Sequence, residues 1–386
     1  MATSGTTVPM ARLGELRGKL TSWLVDAAYP LWARNGIDVR NGGFIETLGQ
    51  DGAALDHPRR ARVHPRQIYA FAQAPDLGWR GDVRGIVARG SDYFSRFYRR
   101  PDGLFRTLAD VDGAPLDEGA FLYDQAFALL GHAAAAQALD AVGDFEKRAL
   151  DLRHAVESRF RGPEDAFYSD ETQDGYIASN PHMHLLEACL AWGQIGRDPG
   201  WADWARRLVD LAMRQFIRRD TGALGEYFDS HGQPAPGTAG RVIEPGHQFE
   251  WGWLLLRASN RRPGPVRDAA LRLIAIGEQA GVRNQVAINS LLDDFSVHDA
   301  NARCWPQTER LKAALLAARL TAEERYWSMA AAAAASLLRY LDTPLVGLWL
   351  DVQLPSGALV DSPAPASTFY HLVGAILALS QIDVYE

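Results

Sequence analysis

Apolar residues recur at three- and four-residue spacing through most of the chain, in long stretches rich in alanine and leucine. FALLGHAAAAQALDAVG and SMAAAAAASLLRYLD are two examples, and this spacing predicts α-helices that bury one face. Between the helical stretches, short segments marked by glycine and an aromatic residue predict tight β-hairpins. Six such segments run over residues 42–52, 102–113, 165–175, 222–232, 282–299 and 347–357, the fifth of them degenerate.

The hairpin segments recur at a nearly constant interval. Their aromatic residues are separated by steps of 61, 62, 60 and, across two units, 122 residues, at Phe44, Phe105, Phe167, Tyr227 and Trp349. A fixed period of this length is the sequence signature of a repeat architecture, and each unit has room for one hairpin and two helices.

Six units of two helices predict an all-α fold, an (α/α)6 barrel with six inner and six outer helices and short β-hairpins at one end. An open helical solenoid is the alternative, and it requires atypical polar capping units at its ends. The sequence shows no such units, which favours a closed ring. No linker rich in proline, glycine or serine interrupts the repeat, so we expect residues 1–386 to form a single domain.

Charge and cysteine content narrow the range of partners and compartments. Lysine and arginine number 40 against 47 aspartate and glutamate, a formal charge of −7 that gives no basic footprint for nucleic acid. The N-terminal residues lack the apolar run of a signal peptide, and no window is apolar enough to span a membrane. Cys189 and Cys304 make no disulfide framework. We expect a cytoplasmic protein without nucleic-acid or membrane partners, either a monomer or a homodimer.

Three histidines carry the strongest sign of chemistry. They occur in NPHMHLLEACLAW, EPGHQFEWGWLLLR and STFYHLVGAILALS, as His184, His247 and His371. Each falls in the predicted first turn of a helix at one phase of the repeat, so a closed ring brings all three to one mouth. Near the positive end of a helix dipole, an imidazole stays neutral at physiological pH and can act as a general base.

Residues suited to capping indicate where these helices begin. Asn180 is a predicted N-cap, Pro245 suits a first helical position, and Ser367 or Thr368 is the predicted cap before His371. In the same region of the repeat the remaining candidates are Arg66, Tyr123, Asp124, Glu250, Trp305 and Glu309.

These candidates also have purely structural explanations. A single histidine on an apolar helix is more often a core residue than a catalyst, but three at one phase of a repeat are hard to attribute to packing alone. Arg66 belongs to a basic run with Arg59, Arg60 and Arg62, which a solvated surface also explains. Trp305 suits either the core or a wall on which a ring-shaped ligand stacks.

The sequence lacks the common metal and nucleotide motifs. His182 and His184 are two residues apart, a spacing that points them to different faces of a helix, and neither an HExxH motif nor a cysteine cluster occurs. The chain also lacks a GxxxxGK[ST] loop, a GxGxxG turn and a GxSxG elbow. We therefore expect no metal and no cofactor.

Taken together, the motifs resemble the N-acylglucosamine 2-epimerase superfamily over nearly the whole chain. The resemblance rests on NPHMHLLEA, EPGHQFEW, WPQTE and FYHL, and on RQIYAF at Arg66. It implies an (α/α)6 barrel and a relation to N-acylglucosamine 2-epimerases, cellobiose 2-epimerases and mannose isomerases. The wording EPGHxFEW is similar to the mannose isomerase branch and departs from the GHDIE and PGHxIE forms of the two epimerase types.

The resemblance implies proton transfer beside the carbonyl of an opened sugar, through a cis-enediol. The expected reaction is the aldose–ketose isomerisation of D-mannose to D-fructose, and of close relatives such as D-lyxose to D-xylulose. His371 is the implied base, His247 the second acid/base, and His184 the residue that binds the sugar and assists ring opening, although these roles are exchangeable. Arg66 is expected to stabilise the enediolate and Glu250 to support His247. The expected substrate-binding residues are Asn180, Tyr123, Asp124, Trp305 and Glu309.

Three alternatives to this function stay open at the level of sequence. A sugar 2-epimerase is the first, acting on N-acylglucosamine, on mannose or glucose, or on cellobiose. An inverting glycoside hydrolase on the same fold is the second, with a carboxyl pair drawn from Asp124, Glu250 and Glu309. A binding protein that kept the fold without the chemistry is the third. The basic run before Arg66 also leaves room for an anionic sugar such as a 6-phosphate.

Overall fold

The architecture consists of an inner and an outer layer of helices. A computed structural model describes residues 7–173, 175–260 and 262–382. In chain order its helices are α1 (Thr7–Ser22), α2 (Tyr29–Asn35), α3 (Val63–Ala72), α4 (Ala74–Leu77), α5 (Val83–Tyr98), α6 (Leu122–Ala138), α7 (Val142–Arg159), α8 (Ser179–Ile195), α9 (Gly200–Leu211), α10 (Pro245–Ala258), α11 (Pro265–Gly281), α12 (Cys304–Thr321), α13 (Glu324–Tyr340) and α14 (Ala366–Ser380). A π-helical segment, Trp23–Ala28, joins α1 to α2, and a second one, Ala212–Phe216, extends α9.

The inner helices are α3, α6, α8, α10, α12 and α14, and each packs on its inner neighbours. The last inner helix, α14, packs on the first, α3, and the outer helix α1 packs on α13. The ring is therefore closed, which confirms the predicted (α/α)6 barrel over the open solenoid. Apolar faces of the two layers share a continuous core in which Trp32, Trp192 and Trp251 are buried.

Short strands lie where the polypeptide enters the inner helices. They are β1 (Thr47–Leu48), β2 (Arg59–Arg60), β3 (Leu108–Ala109), β4 (Pro115–Asp117), β5 (Ile177–Ala178), β6 (Tyr227–Phe228), β7 (Val282–Arg283), β8 (Val286–Ala287), β9 (Ser290–Leu291), β10 (Val297–Asp299), β11 (Ala302–Arg303), β12 (Val352–Gln353) and β13 (Ala364–Pro365). All of their pairings are antiparallel: β1 with β13, β2 with β3, β3 with β4, β5 with β6, β7 with β8, β9 with β10 and β11 with β12.

These pairings connect each unit to the next. The segment just before an inner helix pairs with the hairpin region of the following unit, as β2 does with β3, β5 with β6 and β11 with β12. In the remaining units single bridges join Phe121 to Asp170 and Ile243 to Leu291. The β1–β13 pair then links the sixth unit back to the first, so the ring closes at its mouth as well as between helices.

A buried side chain near the start of each inner helix anchors the hairpin of the same unit. In α6, Gln125 Oε1 accepts a hydrogen bond from the backbone N–H of Phe105 at 2.8 Å, and Nε2 donates to the Phe105 carbonyl at 2.8 Å. Comparable contacts to the hairpins are made by His64, His182, Gln248 and Gln307. In α14 an aromatic contact takes this place, since Phe369 stacks on Trp349 with ring centroids 5.8 Å apart.

The hairpin glycines meet a backbone requirement. Gly103 and Gly113 have φ angles of 88° and 91°, in the left-handed region that glycine enters without steric cost. The degenerate fifth segment places Asn284 and Phe295 in the same region, at φ angles of 50° and 63°. The fifth segment therefore keeps the left-handed turn conformation of the other hairpins with residues other than glycine.

The helix starts partly match the sequence predictions. Pro245 is the first residue of α10, as predicted. Asn180 is not a cap, because α8 begins one residue earlier with Ala178 at the N-cap position. Ser367 and Thr368 lie inside α14, which is preceded by Pro365. His184 and His371 are consequently the sixth residues of their helices and belong to the second turn rather than the first.

Within the described ranges, no helix is both long and apolar enough to cross a membrane. Cys189 in α8 and Cys304 at the start of α12 are both buried and free.

Candidate active site

A cavity of about 320 Å³ opens at the mouth formed by the N-terminal ends of the inner helices. Its lining residues are Arg60, Arg62, Arg66, Tyr123, Asn180, His184, Glu244, His247, Glu250, Arg303, Trp305, Asp351, Ser367, Thr368 and His371. Eight of the ten residues singled out from the sequence are in this set. The other two, Asp124 and Glu309, are fully buried behind the wall.

The three histidines do not share one phase of the repeat. His184 and His371 each lie two residues after the anchoring residue of their helix, His182 and Phe369 respectively. His247 instead lies one residue before its anchor, Gln248, and Glu250 occupies the phase of the other two histidines. His247 is therefore nearer the start of its helix and reaches the same cavity from the first turn.

His371 forms a dyad with Glu309. Its Nδ1 lies 2.8 Å from Glu309 Oε1, and because a carboxylate accepts hydrogen bonds, Nδ1 carries the proton and Nε2 is the free base. Burial lowers the pKa of His371 to about 4, although Glu309 acts in the opposite direction. Glu309, predicted as a sugar ligand, touches the histidine from behind the cavity wall.

His184 forms a second dyad of the same kind. Its Nδ1 lies 3.2 Å from Glu187 Oε2, which also accepts a hydrogen bond from the Tyr370 hydroxyl. Burial lowers the pKa of His184 to about 4. Burial raises the pKa of Glu187, but the contacts with His184 and the charge of Lys312 outweigh that effect and lower it to about 2. At neutral pH this pair is a neutral imidazole on a carboxylate.

His247 has the opposite charge state. Its Nδ1 lies 2.9 Å from Glu226 Oε2 and 3.7 Å from Glu244 Oε2. Burial lowers the pKa of His247, but the two carboxylates outweigh burial and raise it to about 10. The expectation of three neutral imidazoles is therefore wrong for His247. Its hydrogen-bonding partner is Glu226 of the preceding hairpin region, the role expected for Glu250.

Glu250 is an unpaired carboxyl group at the cavity wall. Its side chain is 1% exposed, and Oε1 has no hydrogen-bond partner among the described residues. Burial, together with the charge of Glu309, raises its pKa well above the usual range. A carboxylic acid that stays protonated at neutral pH can donate a proton or a hydrogen bond to a ligand.

Arg66 presents a guanidinium group to the cavity. Its Nη2 donates to the Tyr123 hydroxyl, its Nη1 donates to the Ser367 carbonyl at 3.4 Å, and the group lies 4.0 Å from the centroid of the Phe127 ring. Among the described residues Arg66 has no carboxylate partner within ion-pair distance. Its charge is therefore available to oxygen atoms of a bound molecule.

Trp305 forms a flat wall between two of the histidines. Its ring centroid lies 5.2 Å from that of His247 and 5.5 Å from that of His371. Gly246 makes this placement possible, because a Cβ there would lie 2.4 Å from the Trp305 ring. An aromatic face of this kind is suited to stacking against a sugar ring.

The rim arginines differ from Arg66 because each already has a carboxylate partner. Arg60 Nε donates to Glu46 Oε1 at 2.5 Å, and Arg62 Nε lies 2.9 Å from an oxygen of buried Asp124. A third pair, weaker in geometry, joins Arg303 to Glu244 at 3.7 Å. The predicted ligand Asp124 thus neutralises an arginine of the rim instead of lining the cavity.

Three groups in the described part of the chain bring potential metal ligands within 4.8 Å of one another. They are His184, Glu187 and Glu250; Glu226, Glu244 and His247; and Glu250, Glu309 and His371. In each group Nδ1 of the histidine already contacts a carboxylate oxygen. The arrangement therefore corresponds to histidine–carboxylate dyads that share a wall.

Several residues that set these charge states are not among those predicted from the sequence. Glu187 follows His184 by three residues, the spacing on a helix that brings two side chains to one face, so this partner was detectable. Lys312 follows Glu309 at the same spacing. Glu226 gives no such signal, because it reaches His247 from a hairpin region 21 residues away in sequence.

Comparison with known proteins places these features in a family. The family model described as N-acylglucosamine 2-epimerase (GlcNAc 2-epimerase) matches residues 43–375. A protein of Rhizobium meliloti (strain 1021) named mannose-6-phosphate isomerase is 46% identical over 371 residues, covering 94% of this chain and 96% of that protein. A D-mannose isomerase of Marinomonas mediterranea is 25% identical over 363 residues, covering 86% of this chain and 90% of that protein.

The fold comparison agrees with the sequence comparison. The crystal structure of a D-mannose isomerase matches with a TM-score of 0.85 at 21% identity, covering 94% of this chain and 97% of that one. The likeness shows a shared fold. Because the family model spans most of the chain and its relatives are isomerases and epimerases of sugars, this protein is a sugar isomerase or epimerase. The chain belongs to the N-acylglucosamine 2-epimerase family.

Proposed function

We propose that the protein is an aldose–ketose isomerase that interconverts D-mannose and D-fructose, and that it also acts on D-lyxose and D-xylulose. The observation that carries this proposal is the placement of two histidines beside one aromatic wall, one of them facing two carboxylates and the other facing one. His371 is neutral and His247 is protonated, and both rings lie against Trp305. A base and an acid in one cavity suit a reaction that moves a proton between two carbons.

In the proposed mechanism His371 is the base. Its Nε2 removes the proton from C2 of the open-chain aldose, and the C2 electron pair forms the double bond of a cis-enediolate. The imidazolium that results is stabilised by Glu309, which accepts the Nδ1 proton in a hydrogen bond. Return of the proton from Nε2 to C1, on the same face, gives the ketose once His247 has given its proton to O1 and taken the proton of the O2 hydroxyl.

The acid and the cation have complementary tasks. His247 donates a proton to the ring oxygen or the carbonyl oxygen, and Glu226 holds it in the charged form that this step requires. Arg66 stabilises the negative charge that develops on the enediolate oxygens. His184 binds the sugar and assists ring opening, while Asn180 and Tyr123 contact its hydroxyl groups from the wall.

A neutral sugar is favoured by the state of the rim. Arg60 and Arg62 are each held by a carboxylate, so a phosphate group would have to compete for them. D-mannose 6-phosphate is nevertheless a necessary comparison, because the 46% identical relative carries the name mannose-6-phosphate isomerase. The two substrates differ only in the phosphate group at C6. The ratio of their kcat/KM values therefore measures whether the enzyme prefers a neutral or an anionic sugar.

A 2-epimerase is the second candidate, and one observation favours it. His184 offers a second neutral imidazole in the same cavity, and epimerisation requires a proton to reach C2 from the face opposite to the first base. The carboxyl pair needed by a hydrolase has less support. Of the three carboxylates considered for it, Glu250 lines the cavity, whereas Asp124 and Glu309 are fully buried in ion pairs.

Proton NMR in D2O distinguishes these outcomes. The purified protein is incubated with D-mannose or D-mannose 6-phosphate, beside His371→Asn and a control, His231→Asn, whose histidine lies on an exposed hairpin. We expect fructose from D-mannose with wild type and control, and no turnover with His371→Asn. Deuterium should enter C1 of the product in proportion to the exchange of the Nε2 proton with D2O before its return. Glucose appearing before fructose would replace the isomerase with a 2-epimerase. Turnover of the 6-phosphate alone would move the substrate to phosphosugars.

A further inference from the structure

Lys312 is a buried cation directly behind the dyad of His371 and Glu309. Its side chain is 3% exposed, and Nζ lies 2.7 Å from Glu309 Oε2. It also lies 3.9 Å from the centroid of the Trp253 ring, so a hydrogen bond and a cation–π contact fix its position. The three groups form a chain from α12 to the cavity, in which Nζ binds one oxygen of Glu309 and His371 Nδ1 binds the other.

Three buried carboxyl groups surround this single lysine. Burial lowers the pKa of Lys312, but the negative charges of Glu309 and Glu187 act against burial, and the pKa is raised. Burial would raise the pKa of Glu309 as well, but Lys312 and His371 outweigh it and hold that pKa below its usual range. Glu250, whose Oε1 has no hydrogen-bond partner in the described part of the chain, takes the neutral form instead.

The three carboxyl groups around Lys312 differ in charge. The two carboxyl groups that stay ionised, Glu187 and Glu309, are the two that accept the Nδ1 protons of His184 and His371. The one that stays neutral, Glu250, faces the cavity. One positive charge at Lys312 therefore coincides with an ionised carboxylate behind each neutral imidazole.

We propose that Lys312 is a positioning residue that keeps Glu309 ionised and thereby holds His371 in the tautomer whose Nε2 faces the substrate as a free base. The inference rests on the proposed function. Lys312 thus controls the protonation state of the base, His371, without touching the substrate.

Loss of the lysine charge has a defined consequence. The charged groups that act on His371 are Glu309 and Lys312 on α12 and Arg66 on α3. Glu250, which is neutral, lies near His371 on α10. With Lys312 removed, the negative charge of Glu309 is balanced by His371 alone. The pKa of His371 therefore rises, and the ring binds a proton at higher pH. The imidazolium cannot act as a base, so activity falls most at acidic pH.

Lys312 is also accessible from the other end of the barrel. It lines a second cavity of about 390 Å³, together with Glu187, Trp253 and Arg257 and with residues of the C-terminal halves of the inner helices. A small amine can therefore enter from that end and occupy the space left by a shortened side chain.

The first test compares Lys312→Met, Lys312→Arg and a control, Lys147→Ala, whose lysine is exposed on α7. We expect Lys312→Met to lose about 100-fold in kcat with little change in KM, and the acid limb of its pH–rate profile to move up by about one pH unit. Lys312→Arg keeps the charge and the wild-type limb. An unmoved limb in Lys312→Met, with activity proportional to the folded fraction, would overturn the proposal.

The second test uses the second cavity, which Lys312 lines. Lys312→Ala is assayed with ethylammonium and, as a control, tetramethylammonium, which has no N–H to donate to Glu309. We expect ethylammonium to restore activity about tenfold in a saturable manner. Equal effects of the two salts would contradict the assignment.

Nitrogen-15 NMR of the imidazoles separates this inference from the proposed function. In the sugar-free protein, with His371 assigned from the His371→Asn spectrum, we expect an Nδ1–H tautomer in wild type and a raised pKa of His371 in Lys312→Met. This result would stand even if D-mannose is not the substrate. If Lys312→Met does not fold, Lys312→Gln removes the same charge with a polar side chain, and an unchanged His371 signal in it rejects the proposal.

Discussion

His247 Nδ1 lies 2.9 Å from Glu226 Oε2, so a residue of a hairpin region determines the charge of a histidine on an inner helix. The same carboxylate accepts a hydrogen bond from Ser179 at 3.2 Å, which ties it to the start of α8. The acid of the proposed mechanism is therefore held at the junction of two units, and not by its own helix.

We expect Glu226→Gln to move the alkaline limb of the pH–rate profile to lower pH. His247 has a raised pKa of about 10, so its imidazolium persists to high pH in the wild type, and removal of the main carboxylate lowers that pKa. Above neutral pH the variant should lose about 100-fold in kcat/KM. The measurement is kcat/KM from pH 6 to 10, with the exposed hairpin carboxylate variant Glu118→Gln as control. A loss of equal size at every pH would contradict a role in charging His247.

Stability should fall steeply on mild acidification. Burial lowers the pKa of His132, His182, His184 and His371 from 6.5 to about 4, so between these values the unfolded chain binds protons that the folded chain does not. Each such histidine lowers the free energy of unfolding by about 1.4 kcal/mol per pH unit as pH falls through that window. His247, whose pKa is raised, is protonated in both states there and adds nothing.

His182→Gln isolates one of these contributions. Glutamine occupies the anchoring position in α6, α10 and α12, so the variant should fold, keep its contact to the Phe167 N–H, and show a pH slope smaller by one proton. Urea unfolding at several pH values between 4 and 7 measures the slope. A slope identical to that of wild type would show that His182 is protonated in the folded protein.

Removal of a side chain that anchors a hairpin should lower the free energy of unfolding by more than the size of the side chain suggests. In Gln125→Ala, the buried N–H and C=O of Phe105 both lose partners at 2.8 Å. Unpaired buried backbone groups cost about 1–3 kcal/mol each, so for two such groups we expect a loss of at least about 2 kcal/mol in the free energy of unfolding. Gln137→Ala, on the exposed end of the same helix, should change it by less than about 0.5 kcal/mol.

The end of α12 offers a stabilising change. Ala322 follows this helix with a φ of 57° and is exposed, and a Cβ in the left-handed region costs about 1 kcal/mol. Ala322→Gly should therefore raise the free energy of unfolding by about 1 kcal/mol. The same substitution inside α13, Ala332→Gly, should lower it by about as much, which makes the pair a matched test of backbone conformation by thermal unfolding.

The fold could be predicted because two independent periods in the sequence agree. The apolar spacing indicated helices, and the interval from Phe44 to Phe105 and onward indicated how many there are and how they alternate. Closure followed from the lack of capping units, and the contact of α14 with α3 confirms it. Helix starts were less predictable, as Asn180 shows, because the strand pairing before α8 and not a side-chain cap sets where the helix begins.

The charge states of the site could not be predicted from the sequence in the same way. The helix dipole predicts a neutral imidazole for all three histidines, whereas burial and nearby carboxylates decide their pKa values. Glu309 reaches His371 from 62 residues away and Glu226 reaches His247 from 21. Such partners become visible only once the ring is closed and neighbouring helices are known.

The pairing of the first unit with the sixth has a consequence for biosynthesis. Arg66 donates to the carbonyl of Ser367, 301 residues later, and Gln67 donates to that of Ala366 at 2.7 Å. A ribosome therefore produces five units before the chain holds all the groups of the cavity, so Arg66 is made long before His371, the base of the proposed mechanism. A nascent or truncated chain without the last unit exposes one flank of α3, and under the proposed mechanism we expect it to be inert toward sugars, so that catalytic activity itself reports completion of the ring.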